Sequence, residues 1–375
     1  MRYRLLDFLT CFNCADTFSV KVDETTMTEF SRGEPCEFSC TYFCSRFNIK
    51  NPHIPLQKCR ECHQMQVNRG VLMCNNCSVS YEISQDIPDF RKPQLSSKNT
   101  DKNYLTEATA KTYSLLWKKI DKRNETPRYH YNKMQEVLPG KIVQGKLGLE
   151  VGCGSGLDTH IMAKENPSVE IIAFDVSEGV YAAGYLNRKH ENVHIIRASS
   201  LNLPLRGDIF DFCYSFGVVH HTPDPERCFS EMNRVLRQNG KASIYVYEDH
   251  KDNIWKRRPL QVISMVRKIT SRMNKRLVYA LSVIASPIIF MFFTIPAWLM
   301  GLFPKTRKLT THIPFNFGKS PFSLQGDIFD RFGAPVELRF NRKQLDGMLK
   351  KTGFKDTQFT RLETSAGIVA WASKR

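Results

Sequence analysis

The chain has 375 residues, a formal net charge of +17 at pH 7 and 42% hydrophobic residues. This composition excludes a disordered chain, a collagen-like repeat and a small disulfide scaffold, and it predicts at least one large buried core. Residues 1–10 contain three charged side chains and no small-residue cleavage site. We therefore predict no secretory signal and a reducing, cytoplasmic location.

Cysteines are concentrated at the N-terminus, where nine of the twelve lie before residue 78. Three CxxC pairs stand among them: Cys11/Cys14, Cys59/Cys62 and Cys74/Cys77. One CxxC turn can place two thiolates on a tetrahedral ion, and two such turns complete a closed zinc site. We predict a cysteine-rich zinc module over residues 1–92. Its role should be structural, because four thiolates leave no open position for a substrate.

The stretch from Gly70, GVLMCNNCSVSYEI, followed by IPDF from Ile87, resembles the small zinc-ribbon proteins that activate tRNA and protein methyltransferases. In that family an opening and a closing CxxC hold one zinc. The resemblance implies that the four ligands here are Cys11, Cys14, Cys74 and Cys77. The chain departs from the family by a long insertion between the two pairs.

This insertion contains enough thiols for a second ion. Cys36, Cys40 and Cys44 recur every four residues, which would place all three on one face of a helix. We predict a second zinc bound by Cys59, Cys62 and two of these three cysteines. An iron–sulfur cluster is the alternative, because soft thiolates suit both.

Residues 93–140 are predicted to form a polar linker followed by helices. Tyr113, Leu116, Trp117 and Ile120 fall at helical spacing. Such a stripe is typical of a packing face. Two alternatives remain at this point, a plain core stripe and a lid over an acceptor pocket.

Residues 146–157, KLGLEVGCGSGL, predict a strand that runs into a glycine-rich turn and then a helix. Gly152, Gly154 and Gly156 allow a ligand to approach the backbone closely, and the helix N-terminus offers free N–H groups. The dinucleotide fingerprint needs Gly or Ala at its sixth position, where this chain has Leu157. The pattern therefore disfavours NAD.

The same segment resembles the first motif of class I S-adenosylmethionine-dependent methyltransferases, with Glu150 at the acidic position. The resemblance continues to about Glu248 in the correct order and implies that the three glycines hold the methyl donor. It further implies that Asp175, with Val176 beside it at the end of the next strand, accepts the ribose hydroxyls. A helix-capping role is the alternative for Asp175.

The third strand departs from this family. Ser199, followed by Ser200, occupies the position at which an Asp usually contacts the adenine amino group. A hydroxyl accepts a hydrogen bond without charge assistance, so we expect donor binding to be retained with altered affinity.

The fourth strand and its loop, FDFCYSFGVVHHTPDP from Phe210, match the family's signature facing the donor. The resemblance implies that Phe216 and Gly217 complete the donor pocket. His220 or His221 is the candidate general base if the acceptor must lose a proton. Histidines that only shape the loop are the alternative. No Asn-Pro-Pro-aromatic motif follows, which argues against amino-methylation of bases.

An insertion, residues 249–339, separates the fifth strand from the last helix. Nine Lys or Arg and one Asp occupy residues 251–276, and the charge-free apolar run 277–304 follows directly. The run is long enough to span a bilayer. A single crossing would separate the closing strands from their sheet, and Pro287 and Pro296 should break the run into short pieces. We predict a surface-embedded or hairpin segment on an anionic membrane, with a soluble hydrophobic lid as the alternative.

The predicted fold is α/β: a Rossmann-like, doubly wound, seven-stranded sheet over residues 141–375, with an N-terminal zinc-ribbon module and a hydrophobic insertion before the last helix. The predicted function is S-adenosylmethionine-dependent methyl transfer to a hydrophobic or membrane-associated small molecule, with structural zinc. The alternatives are an RNA base methyltransferase and a non-catalytic donor-binding scaffold, so nucleic acid stays open as a partner. The expected location is cytoplasmic, with peripheral membrane attachment.

Overall fold

The computed structural model describes residues 1–27, 39–44, 46–47, 49–50, 59, 62, 64–91, 100–119, 130–252, 254–313, 315, 318–362 and 367–375. Its strands are β1 Phe18–Met27, β2 Phe43–Cys44, β3 Ile49–Lys50, β4 Met65–Cys74, β5 Ser80–Ser84, β6 Ile87–Pro88, β7 Leu147–Val151, β8 Glu170–Asp175, β9 Val193–Arg197, β10 Phe210–Phe216, β11 Leu236–Tyr247, β12 Phe354–Arg361 and β13 Gly367–Lys374. Its α-helices are α1 Thr100–Lys119, α2 His130–Val137, α3 Leu157–Glu165, α4 Gly179–Asn187, α5 Pro225–Val235, α6 Ile254–Thr270, α7 Lys275–Ile289, α8 Ile295–Gly301, α9 Gln325–Gly333 and α10 Arg342–Lys351.

Seven strands form the large sheet in the order β12-β13-β11-β10-β7-β8-β9. Six of these strands run in the same direction, and only β13 runs in the opposite direction. All five residues of β7 are buried, as expected for a parallel strand covered on both faces. The predicted doubly wound sheet is confirmed. The order places the carboxyl ends of β7, β8 and β10 side by side, where such folds bind their ligands.

The N-terminal region forms a second sheet of order β1-β4-β5-β6 that is joined to the large one by backbone hydrogen bonds. The amide of Thr10 donates to the Pro204 carbonyl, and the amide of Arg206 donates to the Phe8 carbonyl. Buried apolar residues of both regions belong to one continuous core. The cysteine-rich region is therefore packed into the catalytic sheet rather than tethered beside it.

Buried charges mark this junction. The Arg4 guanidinium donates two hydrogen bonds to Glu170, at 2.7 and 3.1 Å, and a third to Asp7. Burial alone would raise the pKa of Glu170, but Arg4 and His194 lower it to about 2. Asp7 in turn accepts the backbone amides of residues 41–43. Both carboxylates thus depend on one arginine from the first turn of the chain.

Two local predictions are wrong. Cys44 lies in strand β2, so Cys40 and Cys44 are not on a helical face, and Cys36 lies outside the described residues. The insertion is not broken at Pro287 or Pro296. Residues 275–301 form a continuous helix, in which a π-turn over Phe290–Thr294 separates α7 from α8.

The helix stays continuous because its backbone adjusts to both prolines. A proline inside a helix removes one hydrogen bond, and a π-turn is a common local adjustment to such a disruption. Pro296 lies two residues after the π-turn, so the irregular turn of the helix is next to the proline that lacks an N–H.

Candidate functional site

A cleft with about 680 Å³ of empty space opens at the carboxyl ends of β7, β8 and β10. Seven of the ten predicted donor-binding residues line it. These are Gly152, Asp175, Val176, Ser199, Ser200, Phe216 and Gly217.

The glycine-rich turn has little room for side chains. Gly152 and Gly156 both have a φ of +79°, a conformation that favours glycine. A Cβ on Gly152 would lie 2.2 Å from Val218, and one on Gly154 would lie 2.5 Å from the Trp117 ring. Gly156 starts helix α3 at the back of the turn. The turn therefore brings bare backbone to the cleft, as a tightly held nucleoside ligand requires.

Asp175 is held in place by two backbone amides. One carboxylate oxygen accepts the N–H of Gly154 at 3.0 Å, and the other accepts the N–H of Ser177 at 2.8 Å. Ser177, rather than Asp175, binds the first amide of helix α4 through its hydroxyl. Since a carboxylate has about four acceptor positions, each oxygen keeps capacity for a ligand hydroxyl in the cleft.

Glu150 lies behind the glycine turn and does not line the cleft. Burial and the neighbouring Asp158 raise its pKa to about 8, while the Thr159 hydroxyl donates to it. At neutral pH the carboxyl is therefore largely protonated. The structure places this residue in a supporting position for the turn.

The two histidines of the β10 loop differ sharply. His220 is fully buried, stacks on Tyr247 at a centroid distance of 3.9 Å, and has no hydrogen-bond partner for either ring nitrogen among the described residues. Burial and the neighbouring His221 lower its pKa well below the ordinary value. His221 lines the cleft, so only the second histidine can meet an acceptor.

Helix α9 of the insertion completes the environment of His221. The Nδ1 atom of His221 lies 2.7 Å from the carbonyl oxygen of Val336, which follows α9. The Nε2 atom of His221 lies 3.8 Å from a carboxylate oxygen of Asp330, which lies in α9. A carbonyl can only accept, so Nδ1 carries the proton and Nε2 is free to accept one. The hydroxyls of Tyr113 and Tyr247 donate to Asp330, and burial raises the pKa of both phenols.

Helix α1 carries the stripe that was predicted to be either a core face or a lid over the acceptor pocket. Tyr113 and Trp117 line the cleft, whereas Leu116 packs with Val278 of α7 and Phe329 of α9 in a separate small core. Ile120 lies outside the described residues. Helix α1 thus lies between the cleft and α7 of the insertion.

Several cleft residues were missed from the sequence. Thr106 and Thr109 continue the stripe of Tyr113 at helical spacing and line the cleft as well, but their polarity conceals the pattern. Asp330 is 109 residues from His221 in sequence, and no local signal connects them.

Four cysteines of the N-terminal region converge on one point. The sulfur atoms of Cys11, Cys14, Cys74 and Cys77 all lie within 4.8 Å of one another. Cys11 and Cys77 are separated by 3.5 Å and Cys14 and Cys74 by 3.3 Å. A tetrahedral ion with metal–sulfur bonds of about 2.3 Å requires sulfur separations of about 3.8 Å. The thiols therefore fit a tetrahedral ion of this size.

Cys59 and Cys62 are both buried, away from that cluster. The Arg46 guanidinium lies 3.8 Å from the Cys62 sulfur, and the backbone amide of Cys40 donates to Cys59. The amide of Cys40 thus contacts Cys59, but no three of the sulfur atoms of Cys40, Cys44, Cys59 and Cys62 all lie within 4.8 Å of one another.

Residues 149–244 match the family described as methyltransferase domain. The chain is 36% identical over 107 residues to a tRNA (carboxymethyluridine(34)-5-O)-methyltransferase of Saccharomyces cerevisiae, covering 28% of this chain and 36% of that protein. It is 28% identical over 147 residues to a demethylmenaquinone methyltransferase of Staphylococcus haemolyticus, covering 38% and 61%. Both matches span less than two thirds of the relative.

Among solved structures, an S-adenosylmethionine-dependent methyltransferase from Thermotoga maritima is similar, with a TM-score of 0.36 and 16% identity. The match covers 73% of this chain and 98% of that one.

Proposed function

The chain carries a class I S-adenosylmethionine-dependent methyltransferase domain, and we propose that the whole protein methylates an apolar small molecule. The observation that carries this proposal is a cleft in which the donor-binding residues and His221 face one space. S-adenosylmethionine supplies a methyl group on a positively charged sulfur. The chain supplies the positions of the reactants and the removal of a proton.

The chemistry of the cleft lining favours an apolar acceptor over RNA. Asp175 is the only Asp, Glu, Lys or Arg among the described residues that line it. Phosphate backbones are recognised mainly through Lys and Arg, and the lining offers neither. Aromatic and aliphatic side chains from α1 and the β10 loop instead supply the wall. The similarity to an enzyme named for demethylmenaquinone is consistent with this class.

His221 is proposed as the general base. Its Nδ1–H bond to the Val336 carbonyl fixes the tautomer and leaves Nε2 as the acceptor of the proton from the attacking group. Once protonated, the imidazole lies beside the Asp330 carboxylate, which stabilises the positive charge. Tyr113 and Tyr247 hold that carboxylate in place. The acceptor is therefore a group that must lose a proton when it gains the methyl group.

A labelled-methyl assay tests the acceptor class. Purified full-length protein is incubated with S-adenosylmethionine carrying a radioactive methyl group and with separated lipid, small-molecule and RNA pools. We expect label in an apolar fraction. The reference variant is Asp175→Ala, which we expect to bind S-adenosylmethionine at least tenfold more weakly, a loss of about 1.4 kcal/mol in binding free energy. Label in RNA would overturn the acceptor class. Donor binding without label in any pool would instead support a non-catalytic scaffold.

A pair of adjacent substitutions tests the base. His221→Gln should lower kcat by a factor of about 10² or more, the usual contribution of a positioned base. His220→Gln is the matched control, since this side chain does not line the cleft. Equal kcat values for the two variants would remove His221 from the reaction.

Zinc is proposed for the cluster of Cys11, Cys14, Cys74 and Cys77, whose sulfur positions fit a tetrahedral ion. We extend the proposal to a second zinc at Cys59 and Cys62, with two of Cys36, Cys40 and Cys44 as the other ligands. Elemental analysis should then find two zinc ions per chain. The double variants Cys14→Ser/Cys74→Ser and Cys59→Ser/Cys62→Ser should each lose one. A single zinc that survives the second substitution would refute the second site.

A further inference from the structure

The insertion exposes an unusual amount of apolar surface. Of the large apolar side chains that are exposed in the described part of the chain, nineteen of twenty-six lie between residues 254 and 322. On α7, the π-turn and α8 they include Ile284, Ile288, Met291, Phe292 and Trp298. A contiguous apolar patch of this kind on a water-soluble protein usually marks a contact site.

The inward face of the same helix is small and polar. Ser282, Ser286 and Thr294 are buried against the domain. The Ser286 hydroxyl donates to the Pro321 carbonyl at 2.8 Å, and the Thr294 hydroxyl donates to the Phe315 carbonyl at 2.6 Å. A helix on a water-soluble domain turns its apolar stripe inward. This helix has the opposite orientation.

Helix α6 has the same inverted arrangement. Its exposed residues Val262, Met265, Val266 and Ile269 follow the i, i+3, i+4, i+7 spacing of an apolar stripe. Its charged residue Arg267 points inward, where it pairs with Glu337 at 2.9 Å and donates to the Ala334 carbonyl. Two successive helices therefore direct apolar stripes away from the domain.

Exposed cations flank these apolar stripes in the sequence. Eight Lys and Arg residues of the insertion are exposed and form no side-chain ion pair with any residue that the structure describes. They are Arg257, Arg258, Lys268, Arg272, Arg276, Lys305, Arg307 and Lys319. A basic rim around exposed aromatic and aliphatic residues is typical of helices that lie in the interface of an anionic membrane.

We propose that α6, α7 and α8 lie in the plane of an anionic phospholipid bilayer, with their outward stripes inserted below the headgroups. The helix Lys275–Gly301 is long and apolar enough to cross a membrane. Its inward residues from Val278 to Ala297 are nevertheless buried on the domain, over a length of about 28 Å. That is nearly the thickness of the hydrocarbon core, about 30 Å. A helix occupied by the domain along this length lies on the bilayer and does not cross it.

The cleft lies close to this apolar surface, so membrane binding would bring the cleft near acceptors dissolved in the bilayer. This inference rests on the proposed function. Leu116 of α1 packs on Val278 of α7, while its helical neighbours Tyr113 and Trp117 line the cleft. Only α1 separates the membrane-facing helix from the acceptor site. An apolar acceptor dissolved in the bilayer would then reach the cleft without crossing water.

Vesicle flotation with the full-length protein tests the proposal. Vesicles of phosphatidylcholine with phosphatidylserine should carry the protein upward, and pure phosphatidylcholine vesicles should carry much less. The double variant Met291→Glu/Phe292→Glu should lose flotation. The matched control is Met27→Glu/Phe47→Glu, in which the same residue types, also exposed, are changed on the N-terminal region. The control should float like the wild type.

Three outcomes would overturn the proposal. One is wild-type protein that stays at the bottom with both vesicle types, and another is equal flotation of the two double variants. The third is a dimer in solution that Met291→Glu/Phe292→Glu dissociates, since a second copy would then cover the face. Calorimetric binding of S-adenosylmethionine to the same preparations reports on the proposed function separately, because no vesicle is needed for it.

Discussion

The cysteine-rich region and the insertion are both additions to the same seven-stranded sheet, but they are joined to it in different ways. Apolar residues of the first, such as Leu5 and Phe18, enter the core of the sheet. The helices of the second contact the rest of the insertion through serine, threonine and arginine side chains and direct most of their large apolar residues outward. An addition that completes a core stabilises the fold. An addition with its apolar side outward needs a second, non-aqueous environment.

The sharpest test of this difference is the loss of Arg4. Arg4→Ala removes the cation that pairs with the buried carboxylates of Glu170 and Asp7, and the loss of one partner of a buried ion pair typically costs about 3–5 kcal/mol. Urea denaturation should show this loss in the free energy of unfolding of the whole chain. Arg91→Ala removes an exposed pair with Asp89 and should cost less than about 1 kcal/mol. Similar losses in the two variants would mean that the junction does not contribute to the shared core.

Acid should weaken the same junction. The pKa of Glu170 is about 2 in the folded chain and 4.5 ordinarily, so the unfolded chain binds the proton more readily. The stabilisation is complete above pH 4.5 and is lost as the pH falls toward 2, by on the order of 3 kcal/mol.

Unfolding free energies measured from pH 6 downward should show this decline. Glu226→Gln, which changes an exposed carboxylate paired with Lys351, is the control and should leave the slope unchanged. A flat wild-type profile would contradict the charged junction.

The smallest changes in the free energy of unfolding are expected in the insertion. Their order shows which face of the helix is buried. Ser286→Leu adds volume to a closed contact and removes the hydrogen bond to Pro321, so it should destabilise the fold by about 1–3 kcal/mol. Ile288→Ser, two residues later on the exposed face, should change the free energy of unfolding by less than about 0.5 kcal/mol. Urea denaturation without vesicles measures both. The reverse order would show that the helix faces the domain with its apolar side.

The placement of Gly152 and Asp175 in one cleft was predictable because its signals are local. A strand, a glycine turn and a helix follow one another within twelve residues, and Asp175 ends the next strand, so sheet topology alone brings them together. The acceptor side was not predictable, because His221 meets Asp330 and Val336 across more than a hundred residues. The sequence also did not distinguish His220 from His221. Stacking on Tyr247 buries the His220 ring away from the cleft, and the sequence gives no sign of this contact.

The orientation of the insertion escaped prediction for a different reason. A run of 28 residues without charge looks apolar on every side, and the few hydroxyls within it decide which side faces the domain. Pro287 and Pro296 predicted breaks because a proline removes a hydrogen bond, but a π-turn between them keeps the helix continuous.

The two backbone hydrogen bonds that join Thr10 to Pro204 and Arg206 to Phe8 have a thermodynamic consequence. The segment that they hold begins with Ser199 and Ser200 in the donor cleft. A metal that ordered the N-terminal region would also order one wall of the cleft, and metal binding and ligand binding in the cleft would then share a coupling free energy. Coupling of this kind is reciprocal. If a metal in the cysteine cluster tightens donor binding by some factor, the donor must tighten metal binding by the same factor.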